Sequence, residues 1–230
     1  MYESAKNKEL YIMEDVTAII PVKMNSSRLP NKNILPFDGS NLLIHKIRQL
    51  KAVSSVKKIV VSSDSDTMLG MAADEGVIPL KRPEQYANES LPISEFVSYL
   101  ADNVEGSHFM WSCVTSPLVD SELYAKAISL YFEKLEEGYD SLVTVMPFRH
   151  YLMDEKGPFN FDRGRAHPNS QNLKKLYLFT NGIQLTPSCK YKEWGDRIGL
   201  HPYLMEVGKR EAIDIDDVYD YRFALAMLEK

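Results

Sequence analysis

Short apolar runs alternate along the chain with longer segments in which apolar residues recur at every third or fourth position. The runs predict buried strands, which we expect at residues 16–22, 58–61, 77–80, 108–114, 141–145, 176–185 and 203–207. The helical spacing predicts helices, which we expect at residues 41–50, from Ser65 or Asp66 to Gly76, and at 93–100, 122–135 and 218–228. We therefore predict an α/β fold with three α/β/α layers and a mostly parallel, doubly wound sheet.

One long segment interrupts this alternation. Residues 146–175 are rich in proline, glycine, aromatic and charged residues. The segment is too long for an ordinary connection, so it is a functional excursion, a subunit contact or a mobile loop. Residues 1–15 are mixed polar and charged, unlike a signal peptide, and we expect them to form a loose extension. Residues 16–230 are predicted to form a single domain.

Polar residues follow three of the predicted strands at the point where each strand ends. They lie in residues 19–37, 62–64 and 115–117. The carboxyl ends of parallel strands meet at one edge of a sheet, and ligands of open α/β sheets bind there. The sequence therefore predicts a binding site that these three segments share.

Composition narrows the kind of partner and the compartment. The net charge is −5 and no basic stripe is visible, so we expect no nucleic-acid partner. Cys113 and Cys189 form neither a CxxC motif nor a disulfide framework, which fits a reducing compartment. No apolar run reaches membrane-spanning length, and the five histidines lack zinc-ligand spacing. We expect a cytoplasmic protein that does not contact the membrane.

The loop after the first strand combines small polar residues with cations. Asn25, Ser26 and Ser27 are small, and Asn tolerates a positive φ better than most residues. Backbone N–H groups in a tight turn attract phosphate oxygens, to which Arg28 adds a planar fork and Lys32 a point charge. The loop lacks the GxxxxGK motif. It is therefore either a phosphate site of another kind or an ordinary solvated loop.

Near the end of the sequence, two isoleucines alternate with two aspartates in the stretch EAIDIDDVYD. In an extended chain Asp214 and Asp216 lie on one face, separated by about 7 Å. They can flank a Mg²⁺ ion, which takes one or two carboxylates together with phosphate and water oxygens. Alternatively, Asp216 or Asp217 caps the helix that follows. Both interpretations can hold at once.

Three further segments have ordinary structural explanations beside functional ones. Asp64 suits the cap of the next helix, as does Asp120 or Ser121, and residues 116–117 suit a turn. The pair at residues 181–182, Asn-Gly, lies between two strand-like runs and is first of all a hairpin signal. It can also place an asparagine side chain in a cleft.

In order and spacing, these segments resemble the acylneuraminate cytidylyltransferases, the CMP–sialic acid synthetase family. The family's opening motif is Arg-x-x-Ser-x-Arg-x-Pro-x-Lys-Asn, and the matching residues are Lys23, Ser26, Arg28, Pro30, Lys32 and Asn33. The later motifs are matched by residues 62–64, 82–87, 115–118, 181–182 and 213–216. The resemblance runs from about residue 16 to the end of the sequence. It implies a nucleotide-diphospho-sugar transferase-like fold.

The resemblance also implies a reaction. The anomeric hydroxyl of a nine-carbon sugar acid, of the sialic, legionaminic or pseudaminic type, attacks the α-phosphorus of CTP and gives a CMP-sugar and pyrophosphate. Mg²⁺ is the implied cofactor and CTP and the sugar acid are the implied partners. In the family the excursion is a dimerisation arm that helps close the neighbouring subunit's sugar site, so residues 146–175 imply a homodimer.

Site roles follow from the same resemblance. Arg28 and Lys32 hold the triphosphate, Asp214 and Asp216 hold Mg²⁺, and one of these two carboxylates, or a hydroxide held by the ion, takes the sugar proton. The residues expected to act directly in catalysis are Arg28, Lys32 and Asp216. The expected nucleotide-binding residues are Lys23, Ser26, Ser27, Arg28, Lys32, Asn33, Arg82, Ser90 and Cys113. The expected sugar-binding residues are Thr115, Ser116, Asn181, Arg163 and Arg165.

The sequence departs from the family pattern at three positions. Lys23 replaces the first arginine, Cys113 replaces a glutamine two residues before Thr-Ser-Pro, and Val119 replaces an arginine. Lysine keeps the charge but loses the bidentate fork. Three rival functions stay open: a nucleotidyltransferase for another sugar acid or a sugar phosphate, a catalytically silent nucleotide- or sugar-binding module, and a glycosyltransferase with an Asp-x-Asp metal site.

Overall fold

The computed structural model describes residues 15–24, 28–87 and 90–228. Apart from residue 15, the expected extension lies outside the described residues, as do Ser26 and Ser27. The strands are β1 Val16–Pro21, β2 Pro36–Phe37, β3 Ser40–Asn41, β4 Val56–Ser63, β5 Ile78–Lys81, β6 His108–Trp111, β7 Ser141–Phe148, β8 Met153–Asp154, β9 Gly157–Pro158, β10 Leu176–Pro187 and β11 Pro202–Glu206. The α-helices are α1 Leu42–Lys51, α2 Asp66–Asp74, α3 Ile93–Asn103, α4 Ser121–Glu136, α5 Tyr191–Trp194 and α6 Val218–Ala226.

Seven of these strands form one mixed sheet in the order β11-β7-β10-β6-β1-β4-β5. Strand β1 pairs in parallel with β4 and β6, β4 with β5, and β7 with β11. Strand β10 runs antiparallel to both of its neighbours. The chain therefore builds β4 and β5 on one side of β1 and then places β6 on the other. This reversal creates a crevice at the carboxyl ends of β1 and β6.

Helices cover both faces of the sheet. Side chains alternate between the two faces along each strand, so each face has its own core. On one face, Ile20 and Val61 pack in the core that helices α1, α2, α4 and α6 complete. On the other face, Ile19 and Val60 pack in a second core with α3 and α5. The predicted three-layer, mostly parallel α/β fold is confirmed. Within the described residues, no helix is long and apolar enough to span a bilayer.

Side chains cap the N-termini of three helices, α2, α4 and α6. Ser65 accepts a hydrogen bond from Met68 N and begins α2, and Asp120 does the same for α4. Asp217 begins α6, where it forms a capping box with Asp220. The cap of α6 is thus Asp217 and not Asp216, which leaves the latter side chain available to the site.

The strand predicted over residues 176–185 is confirmed, and the hairpin interpretation of residues 181–182 is wrong. Both residues lie inside the 12-residue strand β10, which pairs with β7 on either side of them. The register of the two strands shifts between Phe179 and Gln184. The strand therefore continues through a local irregularity, similar in kind to a β-bulge, and does not turn back.

Thr144 of β7 holds this irregularity together. Its hydroxyl oxygen accepts hydrogen bonds from Thr180 Oγ1 at 2.7 Å and from Ile183 N at 3.0 Å. A Cβ added at Gly182 would lie 3.2 Å from the same oxygen. Glycine therefore permits a close approach of β10 to β7 that a larger residue would resist. The shifted register frees Asn181 from the regular ladder.

The excursion begins after β7, which extends to Phe148, so the strand is longer than predicted. The small hairpin β8–β9 forms its first part, and short 3₁₀ helices at Gly164–Ala166 and Ser170–Asn172 form the rest. Tyr151 donates to the carbonyl of Pro168 at 2.8 Å and packs against the Phe161 ring. The excursion therefore has internal structure of its own.

A buried lysine of helix α1 fastens the connection between β6 and α4. Lys46 Nζ donates to the carbonyls of Ser116 at 2.9 Å and Val119 at 3.3 Å, and to Tyr124 Oη at 2.9 Å. Complete burial lowers the pKa of Lys46 to about 7. The predicted turn at residues 116–117 is therefore shaped by a buried amino group that no local sequence signal reveals.

We expect Lys46→Met to lower the free energy of unfolding by about 3 kcal/mol at pH 9, because two buried carbonyls lose their donor. The folded-state pKa lies below the unfolded one, so wild-type stability rises with pH above about 7. The difference between wild type and variant should therefore widen by up to about 1.4 kcal/mol per pH unit from 7 to 9. Urea unfolding at several pH values measures this difference in the free energy of unfolding.

The control is Lys126→Met on α4, because the Lys126 side chain is exposed. A difference between wild type and Lys46→Met that does not change with pH would contradict the lowered pKa of Lys46.

Candidate active site

Two cations from the loop after β1 meet an aspartate that lies just before α6. Arg28 Nη1 lies 2.9 Å from Asp216 Oδ2, and Lys32 Nζ lies 3.1 Å from Asp216 Oδ1. Almost the whole described sequence separates these partners. The fold therefore brings the cationic loop and the carboxylate segment to one place on the surface.

A cleft of about 380 Å³ lies beside this cluster, at the carboxyl ends of β1, β5 and β6. Its polar wall contains the cations of the loop, and its other wall is apolar and aromatic. The lining residues are Pro21, Val22, Lys23, Arg28, Lys32, Asn33, Arg82, Tyr86, Ala87, Leu91, Ile93, Phe96, Trp111, Cys113 and Thr115. Cations along one wall and rings along the other suit a ligand with both anionic and flat apolar parts.

Internal hydrogen bonds shape the cationic loop. Asn33 is buried and its Nδ2 donates to the carbonyl of Lys23 at 2.8 Å. Asn31, in the left-handed region at φ 54°, precedes the short 3₁₀ helix Lys32–Ile34. Met24 N donates to Asp64 Oδ1 at 3.0 Å, so Asp64 ties the loop to the end of β4. These contacts direct the loop across the crevice.

The carboxylate segment is held from the opposite side. Ile215 is fully buried and its N–H donates to the carbonyl of Thr115 at 2.8 Å. Asp214 and Asp216 flank it with half-buried side chains, and Asn181 Nδ2 donates to Asp214 Oδ2 at 2.7 Å. The irregularity in β10 thus places an amide against one of the two aspartates. The segment therefore contacts both the connection that follows β6 and the irregular middle of β10.

Arg82 is a buried cation on the wall beneath the cleft. Its Nη2 donates to the carbonyl of Ser62 at 2.7 Å, and its Cζ lies 4.1 Å from the centroid of the Phe96 ring. Burial lowers the pKa of Arg82 to about 10, and the nearby Asp64 opposes that shift. The guanidinium therefore stays charged at neutral pH. It contributes a positive field to the cleft from a fixed position.

Cys113 lines the cleft where the family pattern has a glutamine. Trp111 Nε1 donates to Cys113 Sγ at 3.3 Å. Burial is the main cause that raises the pKa of the Cys113 thiol to about 11, and the negative charge of Asp214 is the second. The thiol is therefore neutral at pH 7 and presents a small, weakly polar group to a ligand.

Of the other predicted site residues, only some lie at the cleft. Thr115 lines the cleft, whereas Ser116 is buried and its carbonyl accepts from Lys46. Ser90 is exposed, and it is absent from the cleft lining within the described residues. Arg163 and Arg165 are exposed on the excursion and likewise lie outside the lining of the described cleft.

Several cleft residues have no counterpart in the sequence prediction. Tyr86, Phe96 and Trp111 supply the aromatic wall. Trp111 is the last residue of β6, but the strand was predicted to continue to residue 114, so the sequence placed Trp111 inside the strand and not at its end. Arg197, whose Cζ lies 5.0 Å from the centroid of the Trp111 ring, comes from the connection between α5 and β11. Its local sequence gave no signal either.

The donor set fits magnesium better than a transition metal. No group of three or more His, Cys, Asp or Glu side chains within the described residues is arranged to hold a metal ion. Asp214 and Asp216 supply two carboxylates, one on each side of Ile215. Two carboxylates suffice for Mg²⁺ when phosphate and water oxygens complete its shell, whereas a structural zinc site needs four protein ligands.

Comparisons with known proteins agree with this geometry. An N-acylneuraminate cytidylyltransferase of Streptococcus agalactiae serotype V is 24% identical over 216 residues, which cover 88% of this chain and 51% of the relative. This chain therefore spans about half the length of that relative. A pseudaminic acid cytidylyltransferase of Campylobacter jejuni serotype O:2 is 23% identical over 218 residues, covering 90% of this chain and 93% of the relative.

A solved structure shows the same fold. The structure of CMP:2-keto-3-deoxy-manno-octonic acid synthetase complexed with CTP superimposes with a TM-score of 0.68 at 11% identity. The alignment covers 94% of this chain and 98% of that protein. In addition, a family profile described as cytidylyltransferase matches residues 17–163, which is well over half of the chain. The chain therefore belongs to the cytidylyltransferase family.

Proposed function

We propose that this protein transfers CMP from CTP to a nine-carbon sugar acid and releases pyrophosphate. The observation that carries the proposal is the cluster in which Arg28 and Lys32 converge on Asp216 beside the cleft. The named activities of the two relatives support it, and both of those relatives act on sugar acids of this size class by name. The sialic, legionaminic and pseudaminic acids are the proposed substrates.

The proposed chemistry requires positioning and charge neutralisation more than covalent participation by the protein. The anomeric hydroxyl oxygen attacks the α-phosphorus, the bond from that phosphorus to the bridging oxygen of the β-phosphate breaks, and pyrophosphate leaves. The hydroxyl proton passes to a carboxylate of the Asp214–Asp216 pair. Lys23, Arg28 and Lys32 bind the triphosphate along one wall of the cleft.

Asp214 and Asp216 are the residues that would hold Mg²⁺. When bound, the ion neutralises charge on the triphosphate and on the departing pyrophosphate. Asp216 is neutralised by Arg28 and Lys32. A triphosphate competes with Asp216 for these two cations, so binding of the nucleotide frees carboxylate oxygens for the metal. The base rests against the aromatic wall, between Tyr86 and Trp111.

A pyrophosphate-release assay tests the function. We expect release with CTP, Mg²⁺ and one of the three sugar acids together, and at least about tenfold less when UTP or ATP replaces CTP, because a lost hydrogen-bond match to a base costs roughly that factor. A chelator should abolish release. Turnover of a sugar phosphate, or nucleotide binding with no release for any acid, would instead favour one of the rival functions.

The carboxylate pair gives the second prediction. We expect Asp214→Asn together with Asp216→Asn to reduce kcat/KM by about a hundredfold or more, because an amide cannot neutralise a cation or accept the sugar proton. Asp217→Asn is the matched control, since asparagine also caps a helix and the residue is adjacent in the chain. Turnover of the double variant equal to that of the control would refute the assignment.

We also propose that the protein is a homodimer that acts in the cytoplasm, where thiols such as Cys113 and Cys189 stay reduced. The excursion exposes large apolar side chains, with Met153 70% and Phe159 67% accessible. Strand β10 continues this apolar surface through the exposed Leu178. Exposed apolar patches of this kind mark interaction surfaces.

Sedimentation velocity tests the dimer. We expect wild type to sediment at twice the mass of the chain and the variant Met153→Glu with Phe159→Glu to sediment at the monomer mass, because two charges would enter an apolar contact. Leu200→Glu is the control, since Leu200 is an exposed apolar residue outside the excursion. A wild-type monomer at micromolar concentration would contradict the proposal.

A further inference from the structure

Arg197 lies where the cleft meets strand β10. Its Cζ is 5.0 Å from the centroid of the Trp111 ring, which lines the cleft, and 6.0 Å from that of Phe179 on β10. Arg197 is not itself in the lining of the described cleft, so it lies directly behind the Trp111 ring at the cleft wall. The Arg197 side chain is 17% exposed. It is therefore sheltered but reachable.

The structure fixes the orientation of this guanidinium. Its Nε donates to Gln184 Oε1 at 3.2 Å, and Gln184 is fully buried and in register with Trp111. Thr186 Oγ1 donates to the backbone carbonyl of Arg197 at 2.6 Å. Stacking on an indole adds cation–π attraction. The side chain is thus pre-positioned by contacts on one edge and one face.

The two terminal nitrogens of Arg197 are left for another partner. Asp196 lies 4.0 Å from Nη1, which is beyond hydrogen-bond distance. Within the part of the chain that the structure describes, neither terminal nitrogen donates a hydrogen bond. The outer edge of the guanidinium therefore has a long ion pair with Asp196 but no hydrogen-bond acceptor among the described residues, which leaves its N–H groups available to a ligand. Its geometry matches a planar carboxylate, which it binds through two parallel hydrogen bonds.

The position separates Arg197 from the triphosphate. Lys23, Arg28 and Lys32 line the wall that follows β1, whereas Arg197 lies on the side of β6 and β10. Asp214 is on that same side, since Asn181 of β10 donates to its Oδ2 at 2.7 Å. Arg197 and the Asp214 side chain therefore both lie on the side of the cleft that β6 and β10 form, away from the cationic loop.

We propose that Arg197 binds the carboxylate of the sugar acid and so selects acids over neutral sugars. This proposal rests on the proposed function. It assigns to Arg197 a role that the sequence prediction gave to Arg163 and Arg165, both of which are exposed on the excursion. The carboxylate is bonded directly to the anomeric carbon of the sugar acid. The bidentate contact therefore orients the anomeric hydroxyl toward the α-phosphorus.

The test compares sialic, legionaminic and pseudaminic acids, each as free acid and as methyl ester. With wild type, the free acid should have the lower KM. Arg197→Gln should raise the KM of the free acid by about tenfold or more, the cost of a hydrogen bond to a charged group, and leave the KM of CTP within about twofold, because the triphosphate lies elsewhere. The preference for acid over ester should disappear. Arg197→Lys, which keeps the charge but not the fork, should lie between.

Arg48→Gln is the control, since Arg48 is exposed on α1 and pairs with Glu75; its KM values should equal those of wild type. An unchanged KM for the acid, an equal loss for acid and ester, or a parallel rise in the KM of CTP overturns the proposal. If Arg197→Gln does not fold, Arg197→Lys and the ester comparison decide alone.

Calorimetry of the same acids, with a non-hydrolysable CTP analogue present, separates this proposal from the proposed function. Binding of an acid that is lost in Arg197→Gln, in a protein that releases no pyrophosphate, supports the role of Arg197 and refutes the transferase activity. Release of pyrophosphate with an unaltered acid affinity in the variant refutes the role of Arg197 alone. A wild-type protein that binds none of the acids overturns both.

Discussion

The site depends on electrical neutrality between a loop near the start of the sequence and a carboxylate segment near its end. Arg28 and Lys32 approach Asp216 to within 3.1 Å, and the rest of the fold keeps these groups together. The side chains of Arg28 and Asp216 are both partly exposed to solvent, so their ion pair contributes little to the stability of the fold. In the proposed function, two cations and a carboxylate in one place exchange partners with a triphosphate and its metal ion.

The supporting contacts share a pattern, because each ties a strand end to a loop. Asp64 holds the loop after β1, Thr115 holds the segment that carries the aspartates, and Lys46 holds the connection after β6. Buried polar groups with satisfied hydrogen bonds restrict a loop more than apolar contacts do. These contacts restrict the loops at the switch point of the sheet, and the proposed function requires such restriction to position a triphosphate.

The layers of the fold and the carboxylate segment were predictable, because both depend on hydrophobic patterns within short stretches of sequence. Apolar runs and helical spacing identified the layers, and the alternation around Ile215 placed Asp214 and Asp216 on one face while Ile215 entered the core. Arg197, in contrast, is held beside the cleft-lining Trp111 by tertiary contacts with that ring and with Gln184.

The hairpin prediction failed for a related reason. Asn-Gly is a strong local turn signal, but Thr144 accepts the hydrogen bonds of the surrounding residues and keeps β10 extended. The burial of Lys46 likewise depends on carbonyls that lie 70 or more positions away in the sequence. Periodicity within a segment carries no information about such partners, so the features that shape the site most finely were the least predictable.

A crystal structure with a non-hydrolysable CTP analogue and Mn²⁺, whose anomalous scattering locates the ion, examines the charge cluster most directly. We expect the triphosphate between the wall that carries Arg28 and Lys32 and the segment that carries Asp216, with the manganese signal within coordination distance of an aspartate oxygen of that segment. A triphosphate bound elsewhere, or a Lys32–Asp216 contact that persists unchanged while the nucleotide occupies the cleft, would contradict the exchange of partners on which the proposed function rests.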